Sequence, residues 1–206
     1  MHTKKVVSAG KSLEEADKVL IMIHGRGSRA EDILSLAAHL HVEDYALLAP
    51  QATNYTWYPT SFLAAPSVNE PWLSSALQVI DEVVNEVVAK GIPKEHIYFT
   101  GFSQGACLTL EYVTRNAGKY GGVAAFTGGL IGDKIYTENY SGDFAGTPVF
   151  IGTSNPDPHV PVDRVNETTS ILKSMHAEVV EKVYSNMGHT ISQDEIVQAN
   201  LLVFKK

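Results

Sequence analysis

The feature that most constrains this chain is an alternation. Short runs rich in apolar residues, at Val19 to Ile23, Ala46 to Ala49, Ile97 to Phe99, Val123 to Phe126, Val149 to Ile151 and Val179 to Tyr184, are separated by stretches with helical spacing. A strand without a polar face must be covered on both sides, which an antiparallel sheet open to water cannot provide. The clearest helical stretch carries Leu73, Ala76, Leu77, Ile80, Val83, Val84, Val87 and Val88 at i, i+3, i+4, i+7 positions. Asn69 is placed to cap its start, Glu70 and Pro71 suit its first turn, and Gly91 followed by Pro93 ends it. Ser192-Gln193-Asp194-Glu195 opens a last helix with a capping box. Strand and helix repeated in this way predict an α/β fold: a mostly parallel central sheet with helices on both faces. With no repeat, low-complexity tract or linker, residues 1–206 read as one domain.

Composition narrows the function classes. The 16 Lys and Arg against 23 Asp and Glu give a net charge of −7, which argues against a general nucleic-acid binder. One cysteine, Cys107, makes no intrachain disulfide and leaves no cysteine-based zinc site, and it reads as a small buried hydrophobe. His39 and His41 have no carboxylate or cysteine cluster beside them, so no metal is expected. The N-terminal Met1-His2-Thr3-Lys4-Lys5-Val6-Val7 lacks a signal-peptide pattern, and no run approaches the ~18 apolar residues of a membrane span. A cytoplasmic protein without stable membrane insertion is expected, and a homodimer is left open.

Gly101-Phe102-Ser103-Gln104-Gly105 is the most informative pentapeptide. Its G-x-S-x-G pattern stands between a strand, His96 to Thr100, and a helix, Ala106 to Arg115, the context of a nucleophile elbow. The turn must be so tight that its neighbours collide unless they are small, hence a glycine two residues before and two after Ser103. A serine hydroxyl needs a base, and the base needs a third group to hold it. The order Ser, acid, His is met by Ser103, Asp157 and His189, with the last two in loops that follow strands. Asp163 is the rival acid, but an aspartate at a helix start more often caps. His159 is read as a loop residue, with a second base or a substrate contact as its alternatives.

Acyl transfer also needs donors for a developing oxyanion. The backbone N–H of Gln104 follows the nucleophile, and that of Arg26 lies in His24-Gly25-Arg26-Gly27 after an early strand. His24 is expected to shape that loop, while the Arg26 side chain is either solvated or meets an anionic substrate group. Two long aperiodic segments, Gln51 to Asn69 and Gly128 to Gly146, begin at the carboxyl edge of the sheet, where α/β proteins bind ligands. They read equally as packed loops or as substrate walls, and Trp57, Tyr58, Leu130 and Ile131 are the candidate pocket residues. Gly25-Arg26-Gly27-Ser28-Arg29-Ala30 mimics a dinucleotide fingerprint, but no carboxylate ends the next strand at Ala49-Pro50-Gln51, so no nucleotide cofactor is expected.

With these motifs in place the chain resembles the phospholipase/carboxylesterase branch of the α/β-hydrolases, which includes acyl-protein thioesterases and small bacterial carboxylesterases. The resemblance rests on His24-Gly25-Arg26-Gly27, Gly101-Phe102-Ser103-Gln104-Gly105, Asp157-Pro158-His159-Val160-Pro161 and Gly188-His189. It implies Ser103 as nucleophile, Asp157 as acid, His189 as base, an oxyanion hole from the Arg26 and Gln104 N–H groups, and a fold without a large cap domain. Ser28, where many members carry an acid, and Ala106, where many carry glycine, are departures that blur the subfamily. Related lactone hydrolases place a cysteine in the elbow, and Ser103 argues against that branch. The expected activity is hydrolysis of small carboxylic esters without a cofactor. A thioesterase or lysophospholipase of longer acyl chains is the alternative, and a non-catalytic ligand-binding protein of the same fold is the remote one.

Overall fold

A computed structural model describes residues 1–206. The strands are β1 (Val6–Gly10), β2 (Val19–Ile23), β3 (Ala46–Pro50), β4 (Ile97–Phe102), β5 (Gly122–Phe126), β6 (Pro148–Asn155) and β7 (Glu178–Ser185). They form one seven-stranded sheet in the order β1-β3-β2-β4-β5-β6-β7. All neighbours pair in parallel except β1, which runs antiparallel to β3 with Val6 opposite Pro50 and Gly10 opposite Ala46. The helices are α1 (Ala30–Ser35), α2 (Pro66–Asn69), α3 (Trp72–Ala89), α4 (Gln104–Arg115), α5 (Val162–Ser174) and α6 (Gln193–Leu202). No helix is long and apolar enough to cross a membrane. The expected α/β-hydrolase architecture is present, and no cap domain is inserted at the carboxyl edge.

The apolar runs of β2 to β6 have the predicted cause, whereas β7, read from Val179 to Tyr184 in the same way, is an edge strand with Val180 and Val183 exposed. All of β2 is buried, with Val19, Ile21 and Ile23 in one core and Leu20 and Met22 in the other. The larger core lies beneath α3, α4 and α5, and the smaller beneath α1 and α6. Burying a side chain of this size contributes on the order of 1.5–3 kcal/mol, so polar residues in these strands would be costly.

Three local readings need correction. Strand β1 was not foreseen: it has two half-buried valines and then exposed Ser8, Ala9 and Gly10, so its conformation comes from pairing with β3 rather than from its own pattern. Asn69 does not cap α3, because α2 intervenes and Pro71 takes the cap position. Its buried side chain accepts from Thr60 N–H and Oγ1 and donates to Ser61 O, which fixes the preceding loop. The Glu70 carboxylate instead accepts from the Ser74 N–H and hydroxyl at the helix start. Strand β6 runs past Ile151 to Asn155, since its polar end continues the ladder with β7 through Asn155 opposite Ser185. The capping box of α6 is formed, with Ser192 N–H donating to Glu195 and Glu195 N–H to Ser192 Oγ.

Topology locates the place for a site on physical grounds. From β2 the chain crosses to β3 on one side and then returns past β2 to β4, so β2 and β4 stay paired up to Ile23 opposite Gly101 while the chain leaves them towards α1 on one face and α4 on the other. Loops leaving such neighbours part in opposite directions and open a crevice.

Candidate active site

The β4–α4 turn places Ser103 at φ 54° and ψ −120°, a conformation that strongly disfavours a residue with a side chain. Both flanking glycines are required by close approach. A Cβ on Gly101 would lie 2.5 Å from Gly105 O, and one on Gly105 would lie 2.6 Å from His24 O and closer still to Ile23 O. The turn is held by Ser103 N–H donating to Phe126 O and Cys107 N–H to Ser103 O.

Asp157 follows β6 and His189 follows β7. The Ser103 hydroxyl donates to His189 Nε2 at 2.8 Å, and His189 Nδ1–H donates to Asp157 Oδ2 at 2.8 Å. Because the carboxylate only accepts, the proton is fixed on Nδ1 and Nε2 is left as an acceptor. The other carboxylate oxygen, Oδ1, takes the N–H groups of His159 and Val160, each at 2.8 Å. Burial would raise the Asp157 carboxyl, but the His159 N–H, the His189 ring and the Val160 N–H outweigh it and hold it below its ordinary value. The loop carrying His189 is tied to β6 by Gly188 N–H donating to Ser154 Oγ at 3.0 Å. Asp163, the rival acid, lies in the first turn of α5 and takes no part in this chain of contacts.

The β2–α1 loop meets the elbow directly, since a Cβ on Gly25 would lie 3.6 Å from Ser103 Cβ. Gly27 N–H donates to Tyr55 O and Ser28 N–H to Gly25 O, whereas Arg26 N–H has no protein acceptor. Gln104 N–H is the first of α4 and has no partner inside the helix. Buried His24 donates from Nδ1 to Gly25 O and accepts Ala52 N–H at Nε2, and burial lowers its pKa, so it is a neutral brace for the loop. At the start of α1, Gln51 takes the Ala30 N–H and Asp32 takes the Arg29 N–H, so the N–H groups a pyrophosphate would use are occupied.

A cleft of about 580 Å³ opens over Ser103, lined by Arg26, Tyr58 to Phe62, Gln104, Cys107, His159, Val160 and His189. Of the four pocket candidates only Tyr58 lines it. Trp57 packs beneath the loop, its indole donating to His24 O. Leu130 and Ile131 are in the core, where Leu130 N–H meets Thr168 Oγ1, Ile131 N–H meets Glu111, and Arg164 bonds Leu130 O. Large apolar residues at the sheet edge are equally suited to packing down as to facing a ligand, and in 128–146 these polar clamps turn them down. Phe62 and Val160 take their place.

The Gln104 side chain was not anticipated. It accepts Trp57 N–H at 2.9 Å and donates to Tyr58 O at 2.9 Å, clamping the pocket loop to the elbow. A buried amide at the first helical position carried a signal only in hindsight of that loop. Cys107 lies on the cleft floor, and burial pushes its thiol up to about 12, which keeps it unionised. A second cleft, of about 590 Å³, lies at the opposite edge among Lys11, Asp44, Glu43 and Lys206, which pair off as Lys11–Asp44 and Lys206–Glu43.

The Phospholipase/Carboxylesterase family model matches residues 2–202. The chain belongs to the phospholipase/carboxylesterase family. Acyl-protein thioesterase 1 of Saccharomyces cerevisiae is 28% identical, covering 89% of this chain and 90% of its own. A probable carboxylesterase, SOBER1-like, of Arabidopsis thaliana is 26% identical, covering 94% of this chain and 82% of its own. The crystal structure of a phospholipase/carboxylesterase from Dyadobacter fermentans is 55% identical, with a TM-score of 0.98 over 99% of this chain and 98% of that one. As a member of the phospholipase/carboxylesterase family the protein is an enzyme of the serine hydrolase type.

Proposed function

We propose that the protein is a serine carboxylesterase working through Ser103, His189 and Asp157, with the Arg26 and Gln104 N–H groups as its oxyanion hole. The observation that carries this reading is the unbroken relay from Asp157 through His189 to Ser103, each contact 2.8 Å long. As Ser103 Oγ attacks the ester carbonyl, its proton passes to His189 Nε2, and the carbonyl oxygen gains charge facing the two N–H groups. The imidazolium is supported by Asp157 and then returns the proton to the departing alcohol, leaving Ser103 acylated. Water, deprotonated by the same nitrogen, releases the acid and restores the hydroxyl. One such donor contributes ~2.7–4 kcal/mol of transition-state stabilisation in comparable sites.

The cleft favours small polar esters. Its lining sets polar side chains, including Arg26, Thr60, Ser61, Gln104 and His159, among the apolar surfaces of Tyr58, Phe62 and Val160, and no apolar channel lined by Leu130 or Ile131 continues it. A thioesterase or lysophospholipase of longer acyl chains is the second reading, supported by the name of the yeast relative. Hydrolysis of p-nitrophenyl esters of increasing acyl length, beside matched thioesters, tests the choice. An optimum at short acyl chains supports the esterase. Rates rising to long-chain thioesters support the second reading instead.

A further inference from the structure

We propose that the cleft selects esters bearing a compact oxyanion group such as a carboxylate, with Arg26 and His159 as specificity-determining side chains. The inference rests on the esterase reading and deepens it by naming a substrate class.

The argument begins with the distribution of charge. The chain has a net charge of −7, yet none of the 12 residues lining the cleft is acidic. Asp157, the one carboxylate in the catalytic relay, has a side chain 0% exposed and turned away behind His189. The cleft presents Arg26, His159 and His189 instead. A cleft lined by cations and free of carboxylates draws an anion towards it even where water reaches it.

The Arg26 side chain is exposed but fixed in place. Nη1 donates to Thr56 Oγ1 at 2.9 Å and to Pro59 O at 3.1 Å, while Nη2 donates to Thr60 O at 2.6 Å. A guanidinium has five N–H donors, so these three contacts leave two uncommitted, one on Nε and one on Nη2. All three partners are neutral, so the full positive charge remains without a carboxylate in an exposed side chain of the cleft wall. Held in this way, the group loses little freedom when it binds an anion.

His159 completes the arrangement. Its backbone N–H serves Asp157, but its exposed ring makes no hydrogen bond to the protein. The ring stands edge-on to the His189 ring, with centroids 4.9 Å apart at 79°. Its nitrogens are therefore available to a ligand already placed at Ser103. A substrate anion within reach of Arg26 and His159 would orient the ester without touching the proton relay.

The test compares 3-acetoxybenzoate with neutral 3-acetoxybenzamide, and monophenyl adipate with its terminal amide, each rate divided by the hydroxide-catalysed rate of the same ester. The first pair puts the anion on the leaving group and the second puts it on the acyl group. A third arm with 3-acetoxyphenylphosphonate separates carboxylate from phosphonate selectivity. In at least one pair kcat/KM should favour the anion by about tenfold or more, as expected for a charge-assisted contact. Added salt should shrink that ratio. Arg26→Gln should bring the ratio towards one, Arg26→Lys should restore part of it, and His159→Asn, which leaves the Arg26 contacts intact, should lower it. A ratio at or below one in both pairs, or one that persists in Arg26→Gln, overturns the proposal while hydrolysis of the neutral esters upholds the esterase reading. Loss of turnover on every ester overturns both.

Discussion

At the residue scale the site depends on atoms that have no slack. Gly105 admits no Cβ against Ile23 O and His24 O. Gly105→Ala should therefore displace the elbow or the β2–α1 loop, with about 1–3 kcal/mol of destabilisation readable as a lower urea midpoint, and with activity falling further than stability. Asp157→Asn tests a different property. It keeps the shape but can present an N–H to His189 Nδ1, which favours the wrong tautomer. The expected loss is on the order of 10⁴ in kcat with KM little changed, and an effect below tenfold would remove Asp157 from the relay. The juxtaposition of these residues was legible because an elbow needs glycine at fixed offsets and because the proposed acid and base follow in chain order. The pocket wall was not legible. Trp57, Leu130 and Ile131 are as apolar as Phe62 and Val160, and only tertiary clamps decide which of them face the cleft.

Elements are held in register by a few buried polar groups. Glu111 on α4 is the clearest: its side chain is 1% exposed and meets Arg115 Nε at 2.7 Å, Ile131 N–H at 3.0 Å and Tyr140 OH at 2.9 Å. One carboxylate thereby fastens the long 128–146 segment to the helix that begins at the elbow. Glu111→Leu leaves those donors without an acceptor, and the expected cost is about 3–5 kcal/mol in equilibrium unfolding. Faster amide exchange at Ile131 than in β5 would show that the loop is what loosens. Unchanged stability would contradict the account of this segment. The strands β2 to β6 could be foreseen, because burial on both faces leaves an apolar imprint in the sequence. Edge strand β7 was still legible from Val179 to Tyr184, but β1 was not, because its two valines are followed by Ser8, Ala9 and Gly10 and its order comes from β3. The capping of α3 was misread for a related reason: Asn69 suits a helix start by type, but its amide is committed to Thr60 and Ser61.

For the whole molecule, the chain folds so that its neutral histidines brace the walls of the site. His2 donates from Nε2 to Trp57 O and accepts Thr53 N–H at Nδ1, its ring packed against Trp57 and Trp72. Burial lowers the pKa of both His2 and His24. Both are therefore neutral in the native state but take up protons more readily when unfolded, so their contribution is complete above ~6.5, the ordinary imidazole value, and is lost as the pH falls below it. The depressed Asp157 carboxyl adds a loss of the same sign at lower pH, below the ordinary aspartate range. The melting temperature should fall between pH 7 and pH 5, and His2→Gln should flatten that slope; a slope unchanged in the variant would exclude His2 as its source.

The proposed chemistry rests on one strained serine activated by one histidine. Labelling with a fluorophosphonate, followed by peptide mapping, tests this most directly. A single adduct is expected on Ser103 in the wild-type protein, none in Ser103→Ala, and a rate of labelling reduced at least about 10³-fold in His189→Ala, since the hydroxyl then has no base. An adduct on another residue, or Ser103 labelled as fast without His189, would contradict it.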